Sequence, residues 1–539
     1  MADAVVIGSG PNGLVAANVL ADAGWTVAVL ESASVVGGAV RTGELTLPGF
    51  KHDLFSAFYP LAAASPVLRA FDLESHGLRW RRSPLVLADP ARDGSCAVLS
   101  TDIDETADSL ESFAPGDGEA WRALFRLFER VGDQLVDAMF TPFPPLRAGT
   151  RLAATLGPRE FARFARFASL PVRRLAEEEF TGEGGGRLLA GNALHADLTP
   201  EIPPSGILGW LLSALGQRYG YPMPAGGAGE LTGALARRLQ AKGGVIETDA
   251  RVTEVIVRAR RAVGVRTADG RTLEAGRAVL AAVGAPALYL ELVDRRHLPS
   301  RLLDDLRRFQ YDSATFKVDW ALAGPLPWSA PDARRAATVH VTESMDALSE
   351  QASQRVRGLL PACPSLVIGQ YSTGDPTRSP AGTDTAWAYT HVPHRIKGDA
   401  GGQLTGSWDG HETESFAARV EAQIEQLAPG FRDLIKARHI FTPPAMEAAN
   451  ANLVGGALGG GTTQIHQQGP FRPTTWSLGR PETPVRALYL ASASAHPGGG
   501  VHGAPGANAA RAALRARRRG RTVIALGVGG GAIAATRSR

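Results

Sequence analysis

The sequence predicts an α/β protein in which a parallel sheet with flanking helices is interrupted by a second, α+β unit. Three observations predict this fold. An apolar strand, a glycine-rich turn and a helix follow one another within the first 24 residues. Alternating apolar and polar residues between positions 244 and 285 are typical of a series of strands. A further strand, glycine-rich loop and helix lie between positions 486 and 520, in the order of a second strand–loop–helix unit.

Composition narrows the class of protein. Of 539 residues, 44% are hydrophobic and 20% are charged, which is typical of a globular protein of two or more domains. The net charge of +4 is small for this length and gives no reason to expect a nucleic-acid partner. Two cysteines make no disulfide framework, and the sequence shows neither a signal peptide nor an apolar run of the roughly 20 residues that spans a bilayer. We therefore expect a cytoplasmic protein, and we predict no metal site.

The first element has the pattern of a Rossmann-type nucleotide-binding unit. The apolar strand Ala4–Ile7 leads directly into "GSGPNG", which a helix and the strand "TVAVLE" follow. In such a loop the glycines permit a tight turn, close approach of the backbone to a pyrophosphate, and close helix–strand packing. The helix N-terminus offers free N–H groups and a positive dipole to the phosphates. The predicted binding residues here are Gly8, Gly10, Pro11, Asn12 and Gly13.

Glu31 ends the second strand, 18 residues after the last glycine, where an acidic side chain accepts hydrogen bonds from ribose hydroxyls. A carboxylate at this point repels a 2′-phosphate, which argues against NADP. The loop alone does not separate NAD from FAD. Gly37 and Gly38, followed by Arg41, come just past this strand. A second glycine pair suits a longer cofactor, whose diphosphate and ribityl chain extend beyond the first loop.

This arrangement resembles the FAD-dependent amine oxidase and carotenoid desaturase superfamily. The resemblance implies FAD as the cofactor and a fold like that of amine oxidases and glutathione reductase. It implies that Glu31 binds the adenosine ribose and that Gly37, Gly38 and Arg41 lie along the diphosphate and flavin. It also implies that the glycine-rich "YPMPAGGAGE" segment and the strands after it return the chain to the FAD domain, where Val252 matches a residue whose backbone contacts adenine.

Residues 74–221 show mostly helical patterning. The segment "PREFARFARFASLPVRRLAEEEF" interleaves Phe161, Phe164 and Phe167 with arginines. An amphipathic helix with its arginines in water and its phenylalanines in the core explains this pattern. The alternative is a helix that lies on an anionic membrane surface, which would suit a lipid-soluble substrate.

Lys317 stands within an apolar, strand-like run, "TFKVDWALAGPLPW", and an unpaired buried ammonium is costly. One interpretation is that its side chain points outward from the polar face of a half-buried strand. The other interpretation rests on the resemblance, because flavin amine oxidases carry a lysine in a similar context, linked through water to the flavin N5. On that interpretation Lys317 is a candidate catalytic residue.

The loop "HPGGGVHGAPG" repeats the dinucleotide spacing at Gly498, Gly500 and Gly503. It differs from the first loop because "SAHP" separates it from its strand, Pro497 removes a backbone donor, and no acidic residue follows Glu482. The missing acid weakens the case for an NAD site. It leaves NADP open, since an arginine can meet a 2′-phosphate.

The stretch "LYLASASAHPGGGVHGAPGANAA" is similar to the C-terminal signature of phytoene desaturases and related carotenoid isomerases. Motifs of this branch occur at the start, in the middle and at the end of the chain. The resemblance implies that the loop contacts the isoalloxazine of the same FAD rather than a second nucleotide. The residues that it assigns to this contact are His496, Pro497, Gly498, Gly499, Gly500, Val501 and Gly503.

The sequence thus predicts an FAD-dependent, phytoene desaturase-like oxidoreductase that passes hydride to flavin N5 from an apolar, isoprenoid or polyene-type substrate, or isomerises it. Oxygen or a quinone is the expected electron acceptor, and contact with the inner face of a membrane stays open. The alternatives are an amine oxidase-like enzyme and a non-catalytic FAD-binding scaffold. The predicted bounds are 1–73, 222–290 and 484–516 for the FAD domain, 74–221 and 291–483 for the substrate domain, and 517–539 for a basic and apolar tail.

Overall fold

The computed structural model describes residues 1–516 of the chain. Two seven-stranded sheets organise these residues, and helices cover both. The tail predicted at 517–539 lies outside the described residues.

The first sheet has the parallel centre that the sequence predicts. Five strands lie side by side and parallel, in the order Leu488–Leu490, Thr272–Ala281, Ala2–Ile7, Val27–Leu30 and Val245–Glu247. Two more strands extend the sheet as antiparallel hairpins, Val252–Arg258 and Arg261–Thr267. All seven come from the three segments predicted for the FAD domain, and the α/β, Rossmann-type fold is confirmed. The domain bounds given above stay a prediction.

The strand before the C-terminal loop is shorter than the sequence predicts. The apolar run over 486–494 predicts a strand, yet only Leu488–Leu490 pairs with the sheet. Ala487 has a φ of 60°, which breaks the extended conformation on one side. On the other side, the Ser494 hydroxyl donates to the Gly460 carbonyl at 2.8 Å and so ties the chain to a neighbouring loop.

The second sheet is mixed and belongs to the interleaved unit. Its strands are, in spatial order, Ile435–Phe441, Ala314–Leu322, Asp384–Val392, Leu366–Gln370, Ala336–Val341, Leu85–Pro90 and Cys96–Leu99. Every residue of Ala314–Leu322 is buried. One face packs on the helix Gly410–Leu427, where the rings of Phe316 and Phe416 meet at 4.8 Å. The opposite face is covered by the short strand His52–Asp53, so the expectation that Lys317 points into solvent is wrong.

Short strand pairs and α-helices complete the described residues. Three two-stranded sheets pair Thr42–Gly43 with His52–Asp53, Trp80–Arg81 with Met223–Pro224, and Leu359–Leu360 with Gly398–Asp399. The α-helices of the first sheet's segments are Pro11–Asp22, Pro60–Ala64, Pro66–Arg69, Gly229–Ala241, Ala285–Ala287 and 504–516. Those of the interleaved unit are Ile103–Glu111, Asp117–Phe140, Leu146–Ser169, Val172–Glu179, Glu183–Leu194, Ser205–Tyr219, Ser300–Leu306, Met345–Val356, Gly410–Leu427 and Pro443–Ala449.

Residues 158–169 of the phenylalanine and arginine segment form the second half of the helix Leu146–Ser169, after a kink at Gly157, and the segment continues into the helix Val172–Glu179. Phe164 is buried, and the ring of Phe167 packs edge-on against Trp210 at 5.1 Å. Phe161 is 38% exposed and does not join this core. Residues 158–169 therefore form an amphipathic helix in which two of the three phenylalanines, Phe164 and Phe167, pack on the core. Within residues 1–516, no helix is both long enough and apolar enough to cross a membrane.

Candidate active site

The first glycine loop joins the strand Ala2–Ile7 to the helix Pro11–Asp22. Gly8 has a φ of +92°, which glycine adopts without strain. A Cβ at Gly13 would lie 2.0 Å from the Gly8 carbonyl oxygen, so only glycine allows the helix to start this close to the loop. Gly10 precedes the helix without a side-chain cap, and Pro11 occupies its first turn. The first N–H groups of the helix are left to bind a ligand anion.

Glu31 ends its strand with a carboxylate that is already well hydrogen-bonded. The backbone N–H and the hydroxyl of Ser9 donate to Oε2 at 2.8 and 2.7 Å. The Ala33 N–H and the Ser32 hydroxyl donate to Oε1 at 2.9 and 3.2 Å. A carboxylate has about four acceptor sites, so a ribose hydroxyl would replace the hydroxyl of Ser9 or Ser32. Val252 lies on the same cavity wall as Glu31.

The second glycine pair packs directly against the first loop. Gly37 and Gly38 have φ values of +120° and +56°, and a Cβ on Gly38 would lie 3.0 Å from the Gly10 Cα. Gly38 lines the cavity, whereas Gly37 faces the Thr232 hydroxyl. Arg41 lines the cavity as well, and its Nη2 donates to the Ala449 carbonyl at 2.9 Å.

Two polar atoms beside these loops fit a bound cofactor. Within residues 1–516, the Arg41 Nε and the Asn12 Oδ1 are buried without a hydrogen-bond partner, which is rare in native structures. Burial also lowers the pKa of Arg41, and a bound anion would raise that pKa again. A glycine cradle, a helix N-terminus and an unpaired guanidinium N–H together match the needs of a diphosphate.

The C-terminal glycine loop closes on the same site. The helix 504–516 packs on the start of Pro11–Asp22, since a Cβ at Gly506 would lie 1.9 Å from the Asn12 carbonyl oxygen. Likewise a Cβ at Gly503 would meet the Val15 side chain at 2.7 Å. The loop residues that line the cavity are His496, Pro497, Gly499, Gly500 and Val501. Gly498 and Gly503 lie behind them, and Gly498 packs on the guanidinium of Arg472.

The two histidines of this loop support its backbone. The His502 Nε2 lies 3.2 Å from the Gly499 carbonyl oxygen, and its ring packs against that of Phe140 at a tilt of 30°, with the ring centroids 4.8 Å apart. The His496 Nε2 lies 3.1 Å from the Thr141 carbonyl oxygen. Burial lowers the pKa of each histidine to about 4, so both are neutral at pH 7.

One cavity connects these loops to an apolar wall. Its volume is about 1330 Å³, larger than the roughly 300–1,000 Å³ of an ordinary ligand pocket. The cavity therefore has room for a dinucleotide and a second molecule. The apolar side chains of the wall are Phe58, Leu61, Met139, Leu208, Leu211, Leu212 and Leu215. Within the described part of the chain, no group of three or more His, Cys, Asp or Glu side chains could hold a metal ion.

Lys317 lies behind this cavity rather than on its wall. Its Nζ donates to both carboxylate oxygens of Asp319 at 2.5 Å and to the Asp53 carbonyl at 3.1 Å. The His52 Nδ1 lies 3.5 Å from the same carboxylate. Trp387 lines the cavity, and its ring centroid is 5.8 Å from the Lys317 Nζ. This geometry describes a buried ion pair, and a catalytic role for Lys317 stays a prediction.

Three side chains that sequence reasoning missed meet at the cavity. The Tyr389 hydroxyl lies 2.9 Å from the His195 Nδ1, and the His195 Nε2 lies 2.9 Å from the His340 Nε2. Tyr389 and His195 line the cavity. Tyr389 lies in the strand Asp384–Val392, His195 follows the helix Glu183–Leu194, and His340 lies in the strand Ala336–Val341. These elements are far apart along the chain. No motif or spacing could have connected them.

Comparison with known proteins identifies the family. The model of the family described as "Flavin containing amine oxidoreductase" matches residues 12–318, more than half of the chain. The chain belongs to this family. It is therefore an FAD-dependent oxidoreductase, and the resemblance to amine oxidases and the prediction of FAD are confirmed.

Curated relatives match nearly the whole chain. The mouse "Pyridine nucleotide-disulfide oxidoreductase domain-containing protein 2" is 30% identical, over 95% of this chain and 93% of its own length. One of the limonene dehydrogenase polypeptides of Castellaniella defragrans is 24% identical, over 94% of each chain. The neurosporene-forming phytoene desaturase of Cereibacter sphaeroides is 26% identical, over 96% of each chain.

Solved structures share the fold. An oxidoreductase from Methanosarcina mazei aligns with a TM-score of 0.62 at 15% identity, over 95% of this chain and 99% of that one. Cyclohexylamine oxidase from Brevibacterium oxydans aligns with a TM-score of 0.57 at 16% identity, over 96% and 99%. Both alignments extend beyond the first sheet and include the interleaved unit.

Proposed function

We propose that this oxidoreductase dehydrogenates an apolar, olefinic molecule of isoprenoid or polyene type, with FAD as the oxidant. One observation carries the proposal: the cavity that holds the glycine loops continues along four leucines of one helix. These are Leu208, Leu211, Leu212 and Leu215 of Ser205–Tyr219. Moving an ammonium group from water to such a wall is costly, whereas an alkene gains by leaving water. The names of two relatives, a phytoene desaturase and a limonene dehydrogenase, point to the same substrate class.

Successive loops around the cavity would bind successive parts of FAD, from the adenosine to the isoalloxazine. The Glu31 carboxylate and the Val252 backbone would bind adenosine, and the N-terminus of Pro11–Asp22 with Arg41 would face the diphosphate. The C-terminal loop would lie against the isoalloxazine. Bound FAD supplies the chemistry of accepting a hydride from carbon. This chain's contribution is to hold the substrate carbon in a water-poor cavity and to receive the accompanying proton.

The electron acceptor and the location belong to the same proposal. FAD reoxidation by oxygen or a quinone requires no second nucleotide, which agrees with the single glycine cradle of the cavity. A lipid-soluble substrate also favours contact with the cytoplasmic face of a membrane. The helix Leu146–Ser169 carries side chains that suit such a membrane contact. Leu146 is 70% exposed and Phe161 is 38% exposed, and several arginines lie beside them.

Anaerobic reduction of the flavin tests the substrate class. The FAD-loaded full-length protein is mixed without oxygen with phytoene or limonene in detergent micelles, and with cyclohexylamine in parallel. We expect one of the two olefins to bleach the visible flavin absorbance and the amine to leave it unchanged. Bleaching by cyclohexylamine alone would replace this proposal with amine oxidation. Empty micelles provide the blank.

A further inference from the structure

The hydrogen-bonded row of Tyr389, His195 and His340 begins at the cavity and ends in the protein interior. Tyr389 stacks on Trp387 with ring centroids 5.9 Å apart and planes at 12°, which holds its hydroxyl towards His195. His340 is fully buried. A Cβ at Gly191 would lie 2.3 Å from its Nδ1, so a glycine makes room for the ring.

The row is uncharged at rest. Burial lowers the pKa of His195 well below its ordinary value, and burial lowers the pKa of His340 to about 3. His391 lines the same cavity, and burial lowers its pKa to about 4. Two neutral imidazoles, those of His195 and His391, therefore line the cavity, and a third, that of His340, lies behind them. None of the three carries a charge that would repel a developing carbocation.

We infer that Tyr389 and His195 are catalytic residues that take up the substrate proton, with His340 as the positioning residue behind them. This inference rests on the proposed dehydrogenation. Bound FAD would accept the hydride of one substrate C–H bond as that bond breaks, and FAD would be reduced. The C–H bond on the adjacent carbon then breaks, its electron pair forms the new double bond, and its proton bonds to the Tyr389 oxygen. The Tyr389 O–H proton moves at the same time to the His195 Nδ1, and Tyr389 ends neutral.

The geometry suits this order of events. Hydride loss leaves an allylic cation, whose adjacent C–H bond is so acidic that a weak, neutral base can take the proton. Protonated His195 has two N–H groups, and both meet neutral acceptors, the Tyr389 oxygen and the His340 Nε2, at 2.9 Å. A buried charge with satisfied hydrogen bonds costs much less than one without them. The row can thus hold one extra proton until the product leaves.

The transfer requires one tautomer of His195. Its Nδ1 must accept from the Tyr389 hydroxyl, and its Nε2 must carry the hydrogen that it donates to His340. Histidine ¹⁵N NMR of the FAD-loaded full-length protein distinguishes an unprotonated Nδ1 from a protonated one, and it needs no substrate. We expect the His195 Nδ1 resonance to be that of an acceptor and to shift in Tyr389→Phe.

Single-turnover kinetics test the transfer itself. Phytoene and limonene in micelles are mixed anaerobically with the wild type, Tyr389→Phe and His195→Gln, and the flavin absorbance is followed. Glutamine at 195 can hydrogen-bond on both sides but cannot carry the proton. Until the proton leaves, the allylic cation can take its hydride back, so net flavin reduction depends on the proton acceptor. We therefore expect each variant to reduce its flavin about 10²–10⁴-fold more slowly, with an unchanged half-saturating olefin concentration. Tyr219→Phe, which removes a hydroxyl outside the cavity wall, is the matched control and should reduce its flavin at the wild-type rate.

The outcomes separate this inference from the proposed function. If the wild type is reduced by neither olefin, the proposed dehydrogenation fails and the proton transfer fails with it. If the wild type is reduced and both variants match its rate, the proton transfer alone is overturned. A protonated Nδ1 on His195 overturns it as well. FAD content and Tm report on folding, and Tyr389→Phe decides the matter if His195→Gln does not fold.

Discussion

Replacing Gly506 by alanine tests whether the two glycine loops form one site. The added Cβ would lie 1.9 Å from the Asn12 carbonyl oxygen and 3.2 Å from the Ala16 nitrogen, and both are backbone atoms. An ordinary carbon–oxygen contact is about 3.3 Å, so the two helices must separate by more than 1 Å. Helix 504–516 carries the C-terminal loop and Pro11–Asp22 carries the first loop, so the separation would move one loop away from the other.

The expected cost is that of overpacking a core, about 1–3 kcal/mol. If the whole of this free-energy cost weakens FAD binding, the FAD dissociation constant rises about 5- to 150-fold. The assay reconstitutes apoprotein with FAD and follows the quenching of flavin fluorescence, with Tm measured on the same samples. Gly149→Ala is the matched control, because a Cβ there meets nothing within 4 Å and alanine favours the helix. Wild-type FAD affinity and Tm in Gly506→Ala would refute the single-site interpretation.

Three further perturbations follow from the structure. Glu31→Gln keeps the shape but loses the carboxylate, so FAD affinity measured by fluorescence should fall by about 1.5–3 kcal/mol for one charged hydrogen bond, and an unchanged dissociation constant would remove Glu31 from the ribose site. Lys317→Met should cost about 3–5 kcal/mol in urea unfolding because it leaves the buried Asp319 carboxylate uncompensated, and the double variant with Asp319→Leu should recover most of this. A Lys317→Met protein of wild-type stability that no longer reduces its flavin would instead make Lys317 catalytic. The buried, neutral His502 has its pKa lowered to about 4, so the unfolded chain binds its proton first. This residue alone should lower the stability from about pH 6.5 down to pH 4, by about 2 kcal/mol at pH 5. His502→Phe should make the pH dependence of stability shallower by that amount in urea titrations, because the other buried histidines keep their own contributions. An unchanged slope would contradict a neutral His502.

The nucleotide-binding unit is the part of the fold that local sequence predicts well. Its strand, glycine loop, helix and terminal acid are consecutive, so short-range steric rules define them. The interleaved unit is less predictable. The strand around Lys317 shows an alternating pattern that predicts one solvent-exposed face. Both faces are buried, because His52–Asp53, some 265 positions earlier in the chain, covers the second face.

The candidate site likewise has a part that local sequence predicts and a part that it does not. The glycines, Glu31 and Arg41 could be predicted because each belongs to a motif with fixed spacing. Tyr389, His195 and His340 could not, because they have no sequence relation and meet only where a helix end and two strands pack together.

The sequence by itself determined the first glycine loop, because a diphosphate imposes a short, local pattern on the backbone that binds it. FAD and the class of reaction came from the resemblance of several such motifs to one superfamily. The loop "HPGGGVHGAPG" shows the limit of local patterns, since its spacing alone also allowed a second nucleotide site. Only the tertiary structure shows that both loops line one cavity, which favours a single site. Gly503 and Gly506 lie against Val15 and Asn12, and this contact between the two ends of the chain exists only once both helices pack on one sheet.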